Sequence, residues 1–303
     1  MMTIMDRSVL YQINSLEKPQ KISGFLKEKG YSRQNLVDLR KDEQAICLNG
    51  TYVHMNHMLA EGDVLTVWIR ETDNSGQIRP VKLPFVIVYE DEDLLVINKP
   101  AGMPVHPSRG NPENSLGNAL AWYFKEQGVP FVFRCINRLD RDTTGALILA
   151  KNPLSAAILS VQMKKRQILR TYLALVDGLL PDSGTINAPI ARMEGSVITR
   201  EVNFGTGESA ITHYERLAAG KEYSLAELHL ETGRTHQIRV HMKYIGHPLP
   251  GDYLYNPDYR RINRQPLHSY QLEFTHPITG KVMLFTAPLP IDFISAFYSN
   301  SLK

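Results

Sequence analysis

The sequence predicts an α+β protein, a small αβ module followed by a larger domain built on a largely antiparallel mixed sheet. Three observations carry this. Short β-rich runs recur at 85–89, 94–97, 146–150, 169–176 and 223–230. Beyond residue 84, helical patterns fall near 115–126, 154–165 and 235–245, without the strict strand–helix alternation of a parallel sheet. The stretch ETDNSGQIRPVKLP, 71–84, is polar, contains Gly and Pro, and has the composition of a linker. The expected division is a small domain over 1–75, a linker over 76–84 and a second domain over 85–303.

Within the first segment, ISGFLKEKG reads as a helix with Ile22, Phe25 and Leu26 on one side and Gly30 as its stop. Ser32 is placed to cap a second helix, SRQNLVDLRK. Asn49-Gly50, flanked by Ile46, Leu48, Tyr52 and Val53, reads as a two-residue hairpin turn. Gly62-Asp63 then leads into a strand over 64–69.

Composition narrows the function classes. The chain has 303 residues, 43% of them hydrophobic and 21% charged, which suits a soluble protein with a sizeable core. The net charge of +3 permits a polyanionic partner without requiring one. Its distribution is uneven: from Arg134 to Arg170 there are eight Lys or Arg against two acids, Asp140 and Asp142. Two distant cysteines, Cys47 and Cys135, suggest a reducing compartment and no disulfide framework. The N-terminus lacks a signal-peptide pattern, and no apolar run reaches the roughly 18 residues of a spanning helix. The expected location is the cytoplasm.

The chemistry-bearing candidate is INRLDRDTTGALILAKN. A strand-like run over 131–136 meets polar residues, then the turn-forming Asp142-Thr143-Thr144-Gly145, then an apolar strand. Asp140 therefore sits at or beside a strand end, flanked by Arg138 and Arg141. An aspartate between arginines is anionic at neutral pH and can attack an electrophilic carbon. The same surroundings suit a structural ion pair. A glycosidase arrangement would follow if Asp140 and Asp142 shared a strand, about 6–7 Å apart on one face. His236 and His241 are five apart, which does not put two metal ligands on one helical face. Gly205-Thr206-Gly207 reads as a hairpin turn. Farther on, GRTHQIRVHMKYIG suggests a helix capped by Thr235 and ended by Gly246, with Ile238, Met242 and Ile245 on the core stripe and Arg239 at its edge.

Five ordered segments give a resemblance. NKPAGMPVHPSRGNPENSLGNAL, NRLDRDTTGALILAKN, RTYLALVDG, LETGRTHQIRVHMKYIGHPLPGD and LHSYQLEFTHPITGK together resemble the RluA family of RNA pseudouridine synthases over almost all of 85–290. The resemblance implies a catalytic domain of pseudouridine synthase type with Asp140 as nucleophile. It also implies Tyr172 against the target base, Arg239 paired with Asp140, and Ile238 lining the uracil pocket. Arg138 resembles the arginine that takes the place of the flipped nucleotide or holds its phosphate, and Arg141 joins it as an expected RNA contact. Asn137 and Thr144 depart from the family's usual His and Ser. The first segment resembles the RNA-binding module shared with ribosomal protein S-four, which implies RNA contacts from Arg33, Arg40 and Lys41, diluted by Asp38, Asp42 and Glu43. The implied partner is ribosomal or transfer RNA, bound by a monomer needing no metal or organic cofactor. A binder that has kept the fold and lost the activity is disfavoured by the intact Asp140, Tyr172 and Arg239.

Overall fold

A computed structural model describes residues 5–15, 19–71 and 78–298. The expected linker begins within 72–77, outside the described residues.

The N-terminal part forms β1 (Met5–Gln12), α1 (Ile22–Glu28), α2 (Arg33–Lys41), β2 (Ile46–Leu48), β3 (Thr51–Tyr52) and β4 (Val64–Glu71). Ser32 caps α2 in a reciprocal box with Asn35. Asn49 and Gly50 take the positive φ values, 50° and 83°, that a tight hairpin turn requires. The sheet order is β1-β4-β2-β3, all antiparallel. Strand β1 was not read from the sequence; its register with β4 joins residues about sixty positions apart. Alternate residues of β4 are buried, and Leu65, Val67 and Ile69 pack with Ile22, Leu26 and Leu36.

The remainder forms β5 (Val86–Glu90), β6 (Leu94–Lys99), α3 (Leu116–Glu126), β7 (Thr144–Ala150), α4 (Pro153–Lys164), β8 (Leu169–Asp177) and β9 (Ser183–Asn187). There follow β10 (Ile190–Arg192), β11 (Arg200–Val202), β12 (Ile211–Ala219), β13 (Tyr223–Leu230), α5 (Gln237–Tyr244), β14 (Leu267–Thr275), β15 (Val282–Thr286) and α6 (Ile291–Tyr298). The large sheet runs β5-β6-β7-β14-β8-β13-β12-β9, with β15 also on β14. Every pairing is antiparallel except β7 with β14. Both faces are covered, so β6 and β7 read as continuous apolar runs. On one face Leu95, Ile97, Leu147 and Leu149 meet α3 and α5. On the other, Leu94, Val96, Ile148 and Ala150 meet Leu159 of α4.

The sheet forks where β7 meets β14. Only Thr144 and Gly145 pair with His268 and Ser269. Beyond them β14 takes β15, and β7 takes the extended segment around Cys135. The expected strand over 131–136 is corrected to that short segment, in which Ile136 N–H donates to Ile148 O and Arg134 O accepts from Ala150 N–H. Gly145 is required at the fork: a Cβ there would lie 2.2 Å from Ser269 O, and its φ is +107°.

The two sheets are docked. Arg7 of β1 forms a two-pronged pair with Asp93, at 3.1 and 2.9 Å. The buried Asp93 also accepts from Asn152 and Ser155 at the start of α4, and Leu154 of α4 joins the small core.

Candidate active site

The loop leaving Ile136 is pinned on both sides. Asn137 is buried, and its Oδ1 accepts from Ile148 N–H at 2.8 Å. Behind the loop, the buried Lys99 ends β6 and donates to Pro100 O, Met103 O and Arg141 O at 2.7, 2.8 and 2.9 Å. Arg264 donates to Asp142 O at 3.2 Å while its fork holds Asp292 of α6. The turn spans Asp140 to Thr143, closed by Thr143 N–H on Asp140 O at 3.2 Å. It thus starts two residues earlier than expected, and Thr144 and Gly145 already belong to β7.

Asp140 stands on this turn with its side chain partly open to solvent. Arg239 Nη1 donates to its Oδ2 at 2.8 Å, and His236 Nε2 lies 3.8 Å from the same oxygen. Arg239 is 1% exposed, which corrects its expected place at the edge of the helix stripe. Its Nε and Nη2 grip Asp252, both at 2.7 Å. Burial disfavours the guanidinium charge, but the bonds to Asp252 and Asp140 outweigh that, so its pKa is raised. The helix cap is also corrected: His236, not Thr235, precedes α5, in a left-handed conformation with φ 58°. Among the described residues no side chain caps the first turn of α5; Gln237 instead folds back to accept from Arg234 N–H, a group outside the helix. Burial pushes the His236 pKa down, and Nδ1 is 2.9 Å from the Tyr255 hydroxyl.

Around Asp140 an inner cavity of about 70 Å³ is lined by Tyr172, Ile238, Leu230, Leu267, Arg138 and Arg239, among others. Tyr172 is buried, and among the described residues its hydroxyl has no hydrogen-bond partner. The cavity adjoins a cleft of about 1160 Å³. Six cations line that cleft, Arg138, Lys164, Arg166, Arg170, Arg200 and Arg234, against two carboxylates, Asp140 and Glu231. This is a surface for a polyanion.

Residues 93–244 match the family model described as RNA pseudouridylate synthase. The chain belongs to the RNA pseudouridylate synthase family. The synthase is 40% identical over 272 residues to "Uncharacterized RNA pseudouridine synthase YjbO" of Bacillus subtilis, covering 89% of this chain and 96% of that protein. It is 36% identical over 278 residues to "Ribosomal large subunit pseudouridine synthase D" of Pasteurella multocida, covering 87% and 85%. The structure of human RNA Pseudouridylate Synthase Domain Containing 1 aligns with TM-score 0.58 and 29% identity, over 68% of this chain and 83% of that one. Human RNA Pseudouridylate Synthase Domain Containing 4 shares the fold, with TM-score 0.58 and 24% identity over 72% and 93%. The synthase is thus an isomerase of the RluA type.

Several expected residues gather at one place: Asp140, Arg239, Ile238, Tyr172 and Arg138 all line the inner cavity. Others lie elsewhere. Arg141 lines neither cavity nor cleft; it is tied to Asp142 at 2.8 Å and packs 5.4 Å from the Tyr253 ring. Asp140 and Asp142 share a turn rather than a strand, and Arg141 occupies Asp142, so these two do not form the paired-carboxylate arrangement of a glycosidase. Of the basic 134–170 run, Lys151 is held by Glu90 and Arg134 by Glu71. Arg33, Arg40 and Lys41 are exposed on α2, with Lys41 3.2 Å from Asp38. Asn137 and Thr144, the two expected departures from the family pattern, are both buried, and Thr144 Oγ1 bonds His268 Nδ1 at 2.8 Å. They shape the loop's support.

Sequence reasoning missed Lys99, His236 and Asp252. Each is an ordinary polar letter, and its link to the turn at Asp140 depends on contacts between separate elements. One further group escaped it: Asp91, Asp93 and His276 bring three ligand-type atoms within 4.8 Å of one another, outside the cleft lining. These atoms are already bonded to Arg7, Tyr89, Asn152 and each other.

No helix among the described residues is long and apolar enough to cross a membrane.

Proposed function

We propose that the cleft receives folded RNA and that one uridine flips into the inner cavity. The base stacks between Tyr172 and Ile238 while Arg138 occupies the vacated space or holds the phosphate. Extracting a base costs a few kcal/mol, which stacking and phosphate contact from a planar guanidinium offset in part. Asp140 then acts at the ribose, by attack on C1′ or by assisting glycal formation. The C1′–N1 bond breaks, the uracil turns, C1′ bonds to C5, C5 loses its proton and N1 gains one. The isomerisation is redox-neutral and calls for no metal or organic cofactor.

One observation carries this reading. Asp140 meets the cavity with one oxygen on Arg239, while its Oδ1 accepts no hydrogen bond among the described residues. An oriented carboxylate with a free oxygen, beside a small apolar cavity and a basic cleft, suits attack on a flipped nucleoside. The substrate is structured RNA, with large-subunit ribosomal RNA favoured by the name of the Pasteurella relative. The enzyme works as a cytoplasmic monomer, and residues 1–75 form a module that guides it on RNA.

The test is Asp140→Asn, assayed by pseudouridine formation in total RNA from cells lacking this gene. The folded variant is expected to be inactive. Conversion at the wild-type rate would reject Asp140 as nucleophile.

A further inference from the structure

The proposed reaction leaves Asp252 without a task, yet this carboxylate is wholly buried beside the site. It follows Gly251, whose backbone is wedged so closely that a Cβ would lie 2.5 Å from Ile262 O, with φ +69°. Asp252 Oδ1 accepts from the N–H groups of Leu254 and Tyr255 at 3.0 and 3.3 Å, which fixes the carboxylate in its own loop. Its two oxygens then take the Nε and Nη2 edge of Arg239, both at 2.7 Å. The rings of Tyr255 and Tyr253 lie 5.0 and 5.7 Å from Arg239 Cζ.

We infer that Asp252 is a positioning residue for the uridine isomerisation, setting the plane of Arg239 and through it the presentation of Asp140. The inference rests on the reading of Asp140 as nucleophile.

A guanidinium carries its five N–H groups in one rigid plane and prefers to grip a carboxylate with two of them. Arg239 faces two carboxylates. With its fork on Asp252, only Nη1 is left for Asp140, at 2.8 Å to one oxygen. The other oxygen of Asp140 stays available. Without Asp252 the fork would turn to Asp140, engage both its oxygens and remove the nucleophile from use. Charge acts in the same sense: two carboxylates on one guanidinium leave the group with one net negative charge, so Asp140 is oriented without being neutralised alone.

Asp252→Asn keeps the side-chain shape but sets an amide N–H₂ against the guanidinium, and the fork is lost. With total RNA from cells lacking this gene, single-turnover conversion by Asp252→Asn should fall about 100-fold, the loss expected when a reacting group is displaced by about an ångström. RNA binding, measured by filter retention, should stay within about threefold of wild type, because Asp252 lines neither cavity nor cleft. Removing one member of a buried pair can prevent folding, so Arg239→Gln and the double variant Arg239→Gln/Asp252→Asn are made beside it. The double variant leaves no uncompensated buried charge at this pair. If Asp252 acts through Arg239, it should be no slower than Arg239→Gln alone.

Wild-type conversion by Asp252→Asn beside an inactive Asp140→Asn would overturn the positioning role and leave the nucleophile standing. A double variant slower than Arg239→Gln, or RNA affinity falling as far as the rate, would overturn it also. Wild-type conversion by Asp140→Asn would overturn the nucleophile reading and this inference together.

Discussion

The Lys99 ammonium donates to the carbonyl oxygen of Arg141 at 2.9 Å, so the end of β6 holds the residue that follows Asp140. Two further carbonyls, of Pro100 and Met103, accept its other two hydrogen bonds. Among the described residues no carboxylate touches it. Burial pushes the Lys99 amine from 10.5 down to about 7, with Asp142 and Asp140 opposing.

That shift fixes a pH dependence of stability. Between pH 7 and 10.5 the unfolded chain holds the proton that the native protein sheds. The native state is therefore favoured as pH rises through this window and gains nothing further above it. Relative to Lys99→Met, wild type should gain up to about 1.4 kcal/mol per pH unit there. Urea unfolding of both proteins at pH 7, 8 and 9 measures this, and a constant difference would show that Lys99 does not titrate in the window.

How much was legible in the sequence follows from where the partners lie. Ser32 as the cap of α2 and Asn49-Gly50 as a tight turn are local and were read correctly. The pattern of α5 was also local, but its start was not, since the left-handed His236 stands at the cap position and Thr235 makes no cap bond. Strand β1 depends on a partner beyond two helices and a hairpin. Arg239 looked like an edge residue because helix periodicity cannot show a carboxylate thirteen positions later on an irregular loop. At Asp140 the local signal fitted an ion pair as well as a nucleophile. Only the resemblance carried by the ordered segments around it favoured the nucleophile.

Tyr172 offers a test that spares the fold. Its hydroxyl has no protein partner among the described residues, while its ring packs in the main core. Tyr172→Phe should unfold at nearly the wild-type urea midpoint. If the hydroxyl assists removal of the C5 proton, the single-turnover rate should fall about 100-fold or more. An unchanged rate would leave the ring as the only working part.

Salt dependence tests the cleft. Lys164 sits at the end of α4 and lines it, with no ion-pair partner among the described residues. Lys164→Ala should weaken RNA binding and lower the slope of log affinity against log salt by about 0.7–1, the value of one phosphate contact. Binding titrations between about 50 and 200 mM salt give the slope. A parallel line would place the RNA elsewhere.

Gly145 tests the fork in the sheet. An alanine Cβ would meet Ser269 O at 2.2 Å and Ser269 N at 2.7 Å, both backbone atoms, from a residue at φ +107°. Neither strand can yield alone, because β14 is held by β8 on its other side and β7 by β6. Gly145→Ala should therefore cost more than about 3 kcal/mol, as steric overlap adds to backbone strain. Gly50→Ala is the control, since φ there is +83° but a Cβ would meet nothing within 4 Å. It should cost only about 1 kcal/mol, the penalty of the left-handed backbone alone. Urea unfolding of the two variants separates close approach from strain. Equal losses would show that β7 and β14 can part without consequence, and that the turn carrying Asp140 is not fixed by their contact.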